Sequence, residues 1–320
     1  MGTIIVTSLH QGEGKTAFCA GLLVLLQRQG HKPVAAKVSA SGVLTDADSL
    51  FFQQLTSVSM PASLSGLKKA AQHAPVILEG PDLLSEEGNP SPAATDLAEA
   101  LDAKVVLVAH PTPSLNASTI ESAARSLGTR LLGIVFNSIG RYQGHAVETA
   151  LAAPLRAAEL PVLAQIPEDR HLLAVTIGDI AQSLHGQFLL LEDQRDQLVD
   201  DLMIGGNVLD WGVSYFSQRE SKAVIVRSDR PDIQIAALHT PTRCLVLTGG
   251  HDPLQYVRYE AQQESVPLIL VQSNTLDTAK AAEALFTVSS PHHPDKAQRY
   301  AGLLQQRLDV TVVASALGLH

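Results

Sequence analysis

The sequence predicts an α/β protein in which a parallel sheet carries helices on both faces and is followed by a smaller α/β unit. Three observations carry this. Short, almost uniformly apolar runs alternate with helical patterns from Thr3 to about Leu191, and strands buried on both faces read that way. The first such run passes straight into a glycine-containing loop and a helix, Ser8-Leu9-His10-Gln11-Gly12-Glu13-Gly14-Lys15-Thr16. The alternation then starts again beyond Gly205-Gly206.

Taken in chain order, strands are expected over 3–7, 33–37, 76–79, 105–110, 131–137 and 161–165, with helices over 15–29, 46–54, 63–72, 93–102, 115–127, 147–159 and 177–184. The acidic stretch 192–201 reads as a joint, or equally well as a solvated helix. Taken as a joint, it divides the chain into residues 1–190 and 191–320. In the second part the runs 223–227, 233–238, 244–248 and 267–271 read as strands, and 254–264, 278–284 and 295–308 as helices.

A chain of 320 residues exceeds a comfortable single core. Its 45% hydrophobic and 17% charged residues describe a globular protein. The apolar runs are too short to cross a membrane, and Thr3 opens a strand pattern with no basic region before it. Met1-Gly2 begins like a myristoylation site, but Val6 stands where Ser or Thr is needed, so a cytoplasmic protein is expected. The formal net charge of −9 repels nucleic acid and anionic membrane, and neither is expected as a partner. Cys19 and Cys244 read as small buried hydrophobes rather than a redox pair. His292-His293, flanked by Pro291 and Pro294, read as solvated or capping histidines rather than metal ligands.

The chemistry gathers at the strand ends, where ligands of such sheets bind. Backbone N–H groups of a glycine-containing loop wrap a phosphate, and the following helix points its positive end at the same anion. Gly12, Glu13, Gly14, Lys15 and Thr16 are therefore the expected nucleotide contacts, with Lys15 supplying charge and the Thr16 hydroxyl a ligand for Mg²⁺. ATP or GTP with Mg²⁺ is the expected ligand. Lys37 ends the second strand at the same edge and either faces the γ-phosphate or lies on the surface. Asp46 reads as a helix cap. Asp48 and Glu79 read as the carboxylates for Mg²⁺, Glu79 because it follows a buried strand and precedes a glycine. Asn137 either reads an adenine edge or caps a turn.

Residues 1 to about 190 resemble the dethiobiotin synthetase-like P-loop family, which includes the synthetase half of cobyrinic acid a,c-diamide synthase. The resemblance rests on Gly14-Lys15-Thr16, on Lys37 within Ala36-Lys37-Val38-Ser39-Ala40-Ser41-Gly42, and on Asp48-Ser49-Leu50. It rests further on Glu79-Gly80, on Asn137 after Gly133-Ile134-Val135-Phe136, and on Leu163-Ala164-Gln165-Ile166-Pro167-Glu168-Asp169. It implies a P-loop NTPase-like sheet in which Lys15 and Lys37 contact phosphates and act in phosphoryl transfer, while Thr16, Asp48 and Glu79 hold Mg²⁺. Ser228-Asp229-Arg230-Pro231-Asp232, followed by Thr248-Gly249-Gly250, resembles the motif that names the DRTGG domain. The pairing is similar to the N-terminal regulatory part of long-form phosphate acetyltransferases, here expected without the acetyltransferase domain.

This resemblance implies a nucleotide-binding regulatory protein, with slow hydrolysis at most, whose second unit senses a small metabolite or mediates assembly. Asp229, Arg230, Thr248, Gly249 and Gly250 are the residues expected to line that second site, with free N–H groups at the glycines; two tight turns are the simpler alternative. Pro81 and Asp82 favour regulation over synthesis. They stand where the synthetases hold a substrate carboxylate, and they remove one N–H donor and add a negative charge. An ATP-dependent carboxylate ligase is the alternative activity. A subunit docking on a separate phosphate acetyltransferase is a third reading, and a homo-oligomer is expected in any case.

Overall fold

The computed structural model describes residues 1–39, 41–59, 61–85, 88–206 and 212–319. Ala40, within the strand-two motif, lies outside the described residues. The chain forms two compact units, Met1–Asp169 with Pro291–His320, and Arg170–Ser290.

The first unit opens with β1 (Thr3–Ser8) and α1 (Lys15–Arg28), then β2 (Val34–Ser39), β3 (Gly42–Leu44), α2 (Ala47–Thr56), α3 (Leu64–Ala70) and β4 (Val76–Glu79). It continues with α4 (Ala93–Leu101), β5 (Lys104–Ala109), α5 (Ala117–Ser126) and β6 (Leu131–Ile139). The helix expected over 147–159 is broken into α6 (Gly144–Val147), a π turn at Glu148–Ala152 and α7 (Ala153–Ala157), before β7 (Val162–Pro167). Pro154 lacks the N–H that would continue a regular helix, which accounts for the wide turn before it.

Among the described residues, the sheet of this unit has seven strands in the order β3-β2-β4-β1-β5-β6-β7. All pairs are parallel except the hairpin of β3 on β2. Ile5, Leu78, Leu107 and Phe136 are fully buried in one core, and the alternate residues Ile4, Val6, Ile77 and Val106 are buried equally. Burial on both faces is what the continuous apolar runs require. Lys37 pairs in register with Glu79, and Glu79 with Val6, so the polar strand ends lie side by side.

The second unit comprises β8 (Val175–Thr176), α8 (Ile177–Ser183), β9 (Gln187–Leu190), β10 (Leu198–Val199), β11 (Asp201–Ile204), α9 (Gly212–Phe216), β12 (Lys222–Arg227), α10 (Pro231–Leu238), β13 (Thr242–Thr248), α11 (Gln255–Gln263), β14 (Leu268–Leu270) and α12 (Thr275–Thr287). Its main sheet runs β11-β12-β13-β14-β9, with β9 antiparallel to β14. The chain then returns to the first unit with α13 (Pro294–Arg307) and α14 (Val310–Ala316).

Four expectations change. The division at 190/191 moves to 169/170, because β9 hydrogen-bonds to β14 and Ile177 and Ile180 belong to the second unit's core. The helix expected over 295–308 belongs to the first unit, so the second part does not extend to residue 320. The apolar run 233–238 is helix, not strand. Parallel β12 and β13 need a crossover, and Pro231 at the first turn starts it. The acidic stretch 192–201 is neither joint nor helix but a single 3₁₀ turn leading into β10 and β11.

Helix α13 explains the composition of α1. A helix apolar all round must be covered all round, and α1 buries Phe18, Cys19, Leu22, Leu23 and Leu26 between the sheet and α13. At the contact, a Cβ on Gly21 would stand 2.6 Å from the Tyr300 ring, so only glycine admits it.

Candidate functional site

The site is built from the carboxyl ends of β1, β2, β4 and β6. Gly12 (φ 84°) and Gly14 (φ 97°) take left-handed conformations in the loop after β1, and Gly14 is the residue from which α1 starts. Both conformations favour glycine. Lys15 is buried beneath, with Nζ 2.7 Å from Ser8 Oγ and ion-paired to Asp82. Ser8 Oγ also lies 2.7 Å from Asp82 Oδ1. Asp82 thus sits on the ammonium that the loop would offer to a phosphate, a contact sequence reasoning did not foresee.

Glu13 turns inward, and its Oε2 accepts the Leu9 N–H at 3.1 Å. Burial pushes its carboxyl up to about 7 against the lowering effect of that hydrogen bond and of Lys15. A proton held by the folded chain but released by the unfolded one favours folding at pH below the ordinary 4.5, and this contribution is lost as pH rises through about 7. Glu13→Gln is therefore expected to gain stability relative to the parent as pH rises from 5 to 8, read as the difference in Tm. A constant difference across that range would contradict the assignment.

Lys37 and three carboxylates form the second cluster. Lys37 Nζ is paired with Asp48, and lies 3.3 Å from Glu79 Oε1 and 3.4 Å from Asp46 Oδ2. Asp46 caps α2, accepting Ser49 N at 3.0 Å, and the Ser49 hydroxyl in turn accepts the Lys37 N–H at 3.0 Å. Asp48 Oδ1 is held at 2.6 Å by His292 Nε2. Burial would raise the Asp48 carboxyl, but the hydrogen bonds from His292 and Lys37 hold it at about 2. Burial would lower the Lys37 ammonium, yet Asp48, Glu79 and Asp46 keep it above the ordinary lysine value. Burial and the Asp48 charge raise Glu79.

The oxygens suit a hard cation. Glu79 Oε2 is buried without a hydrogen-bond partner of good geometry, and the Thr16 hydroxyl lies close enough to favour the charged carboxylate. Thr16, Asp48 and Glu79 would hold Mg²⁺, which favours carboxylate and hydroxyl oxygens and completes its shell with water and phosphate. Among the described residues no group of three or more His, Cys, Asp and Glu side chains is arranged to hold a metal ion. Lys37→Ala removes the cation between these acids and is expected to destabilise the chain by about 2 kcal/mol. Urea unfolding in EDTA measures this loss, and millimolar Mg²⁺ is expected to restore part of it.

Asn137 has other employment than an adenine edge. Its Nδ2 donates to the Glu13 carbonyl at 2.9 Å, and its Oδ1 accepts from the Tyr300 hydroxyl at 2.6 Å. Both ends of the amide are engaged within the protein. Tyr300 and His292 were missed by sequence reasoning. The all-apolar α1 was the signal that some element covers it, while nothing local marked His292. His293 does cap α13, accepting the Asp295 N–H at 3.2 Å. Cys19 and Cys244 are buried free thiols.

In the second unit, β12 and β13 bring the two halves of the predicted motif together, Arg227 in register with Thr248. The expected free amides are absent. Gly249 N donates to Ser273 O at 3.1 Å and Gly250 N to Val271 O at 3.0 Å. Asp229 accepts from Arg227 Nε at 2.9 Å, Arg230 pairs with Asp232 at 2.8 Å, and Thr248 Oγ1 lies 2.8 Å from Thr275 Oγ1. The tight-turn reading describes this geometry better than an open amide nest.

Residues 59–176 match the AAA domain family and residues 179–285 the DRTGG domain family. The first match begins beyond the glycine loop, so the loop is read from its own residues. The chain is 23% identical to the phosphate acetyltransferase of Haemophilus influenzae, covering 88% of this chain and 48% of that protein. It is 26% identical to that of Acinetobacter baylyi, covering 88% and 47%. It therefore spans about half the length of these curated relatives. The cell division protein MinD of Aquifex aeolicus aligns over 54% of this chain and 85% of its own at 16% identity, with a TM-score of 0.37. No helix among the described residues is long and apolar enough to cross a membrane. The chain thus joins a P-loop-type AAA domain to a DRTGG domain, and over most of its length it is similar to the N-terminal region of phosphate acetyltransferases.

Proposed function

We propose that the first unit binds a nucleoside triphosphate with Mg²⁺ and that the chain acts as a nucleotide-dependent regulatory module. The observation that carries this is the convergence of Lys15, Lys37, Thr16, Asp48 and Glu79 at one sheet edge beside the left-handed glycines. Amides and ammonium groups there match phosphate oxygens, and the carboxylates match the cation. ATP is the proposed nucleotide. Titration calorimetry with ATP, GTP and non-hydrolysable analogues, with and without Mg²⁺, tests the reading: saturable Mg²⁺-dependent binding is expected, and its absence would overturn it.

Regulation is preferred over synthesis because Asp82 occupies Lys15 and Pro81 supplies no amide N–H. The ligase reading keeps one specific support, since Lys37 beside Glu79 is placed to offset charge on a transferred phosphoryl group. Steady-state ADP release with one member of a carboxylate panel would favour the ligase. The second unit is proposed to sense a small metabolite or to mediate assembly, including self-association. The similarity to phosphate acetyltransferases supports a separate phosphate acetyltransferase as a partner, which co-purification tests.

A further inference from the structure

Tyr300, on the segment that follows the second unit in sequence, reaches the phosphate loop through a single intermediary. It is 1% exposed, its ring stands edge-on to Phe18 at 6.5 Å and 80°, and its only polar atom donates to Asn137 Oδ1. Asn137 Nδ2 donates in turn to the carbonyl of Glu13, and a Cβ on Gly14 would collide with that amide. The Asn137 main chain is itself held, its carbonyl 3.2 Å from His110 Nδ1. Helix α13 is also held by other contacts: within it Arg299 pairs with Asp169 at 2.7 Å, and just before it His292 pairs with Asp48 at 2.6 Å.

The consequence follows from peptide geometry. In a planar trans peptide the C=O and N–H point in opposite directions, so a Glu13 carbonyl held toward Asn137 aims the Gly14 N–H the other way. Glycine at position 14 would otherwise let that plane rotate at little energetic expense. A donor fixed before the anion arrives need not be ordered on binding. We infer that Tyr300 is a positioning residue of the nucleotide site: through Asn137 it sets the peptide between Glu13 and Gly14, so that phosphate affinity depends on a helix the chain supplies only after completing the second unit.

This inference rests on the nucleotide reading, and the experiment separates the two. In the full chain, Tyr300→Phe removes one hydroxyl and keeps the ring against Phe18 and Gly21. Dissociation constants for Mg²⁺ with a non-hydrolysable ATP analogue, and for inorganic tripolyphosphate, are measured beside the Tm of the ligand-free protein. Both ligands are expected to bind about tenfold more weakly, as for loss of a buried hydrogen bond whose partner is left unsatisfied. Asn137→Leu is expected to weaken binding by a similar factor, and the double variant no further, because the two groups act in series. Unchanged affinity in Tyr300→Phe with a lowered Tm would reduce Tyr300 to packing and overturn the inference while leaving the nucleotide reading intact. Strictly multiplicative losses in the double variant would overturn it too. Should Tyr300→Phe fail to fold, Asn137→Leu alone decides by the same comparison of affinity with Tm. Absence of binding by the unaltered chain would overturn both the inference and the reading beneath it.

Discussion

Asp82→Asn is expected to tighten Mg²⁺-nucleotide binding by tenfold or more. In the ligand-free chain the Asp82 carboxylate pairs with Lys15 and lies 2.7 Å from Ser8 Oγ, so an incoming phosphate must displace it and then tolerate its charge. Two unit charges 4 Å apart interact by about 4 kcal/mol at the effective dielectric typical of protein sites. Even a third of that repulsion corresponds to a factor of ten in affinity. Asparagine keeps the shape and a hydrogen bond to Ser8 while removing the charge. Calorimetric titration of parent and variant at two salt concentrations measures the effect, and the gain is expected to shrink at high salt. Weaker binding by the variant would instead mean that Asp82 orients Lys15 for the nucleotide.

Lys15→Ala is expected to reduce nucleotide affinity at least a hundredfold. The loss has two sources: the charge-assisted hydrogen bonds of a buried ammonium, and an Asp82 carboxylate left facing the phosphates with no counter-charge. The double variant Lys15→Ala with Asp82→Asn should therefore bind more tightly than Lys15→Ala alone. Asp229→Ala, in the second unit, is expected to leave affinity within about twofold, since its carboxylate is engaged with Arg227 on the surface. Equal losses from Lys15→Ala and Asp229→Ala would mean that both units serve one site.

Much of this site was legible because its determinants are local. A strand, a glycine loop, a lysine and a helix follow one another within the first turn of the fold, and Glu79 closes a buried strand of the same sheet. Lys37 lies in register with Glu79, but its three carboxylate neighbours depend on that register and on the cap of α2, which no local pattern reports. The remainder is non-local. His292 meets Asp48 from 244 positions away and Tyr300 meets Asn137 from 163, and no periodicity reports such pairs. The run 233–238 shows a different limit: a short apolar stretch fits either period, and only the need to connect two parallel strands decides for helix. Thr248-Gly249-Gly250 were expected to offer free N–H groups, with a tight turn as the alternative, and the choice between the two depends on Val271 and Ser273 beyond a distant strand.

The return of α13 to the first unit also bears on how the chain acquires its structure during synthesis. When residue 169 leaves the ribosome the N-terminal sheet is complete, yet α1 still shows water the apolar side that Tyr300, Ala301 and Leu304 will eventually cover. The intervening unit has all its own strands and can fold first. Maturation of the N-terminal unit then waits for the segment Pro291–His320. A ribosome-stalled chain cut short before α13 should expose apolar surface to a hydrophobic dye, whereas a chain extended through α13 and α14 should quench that signal.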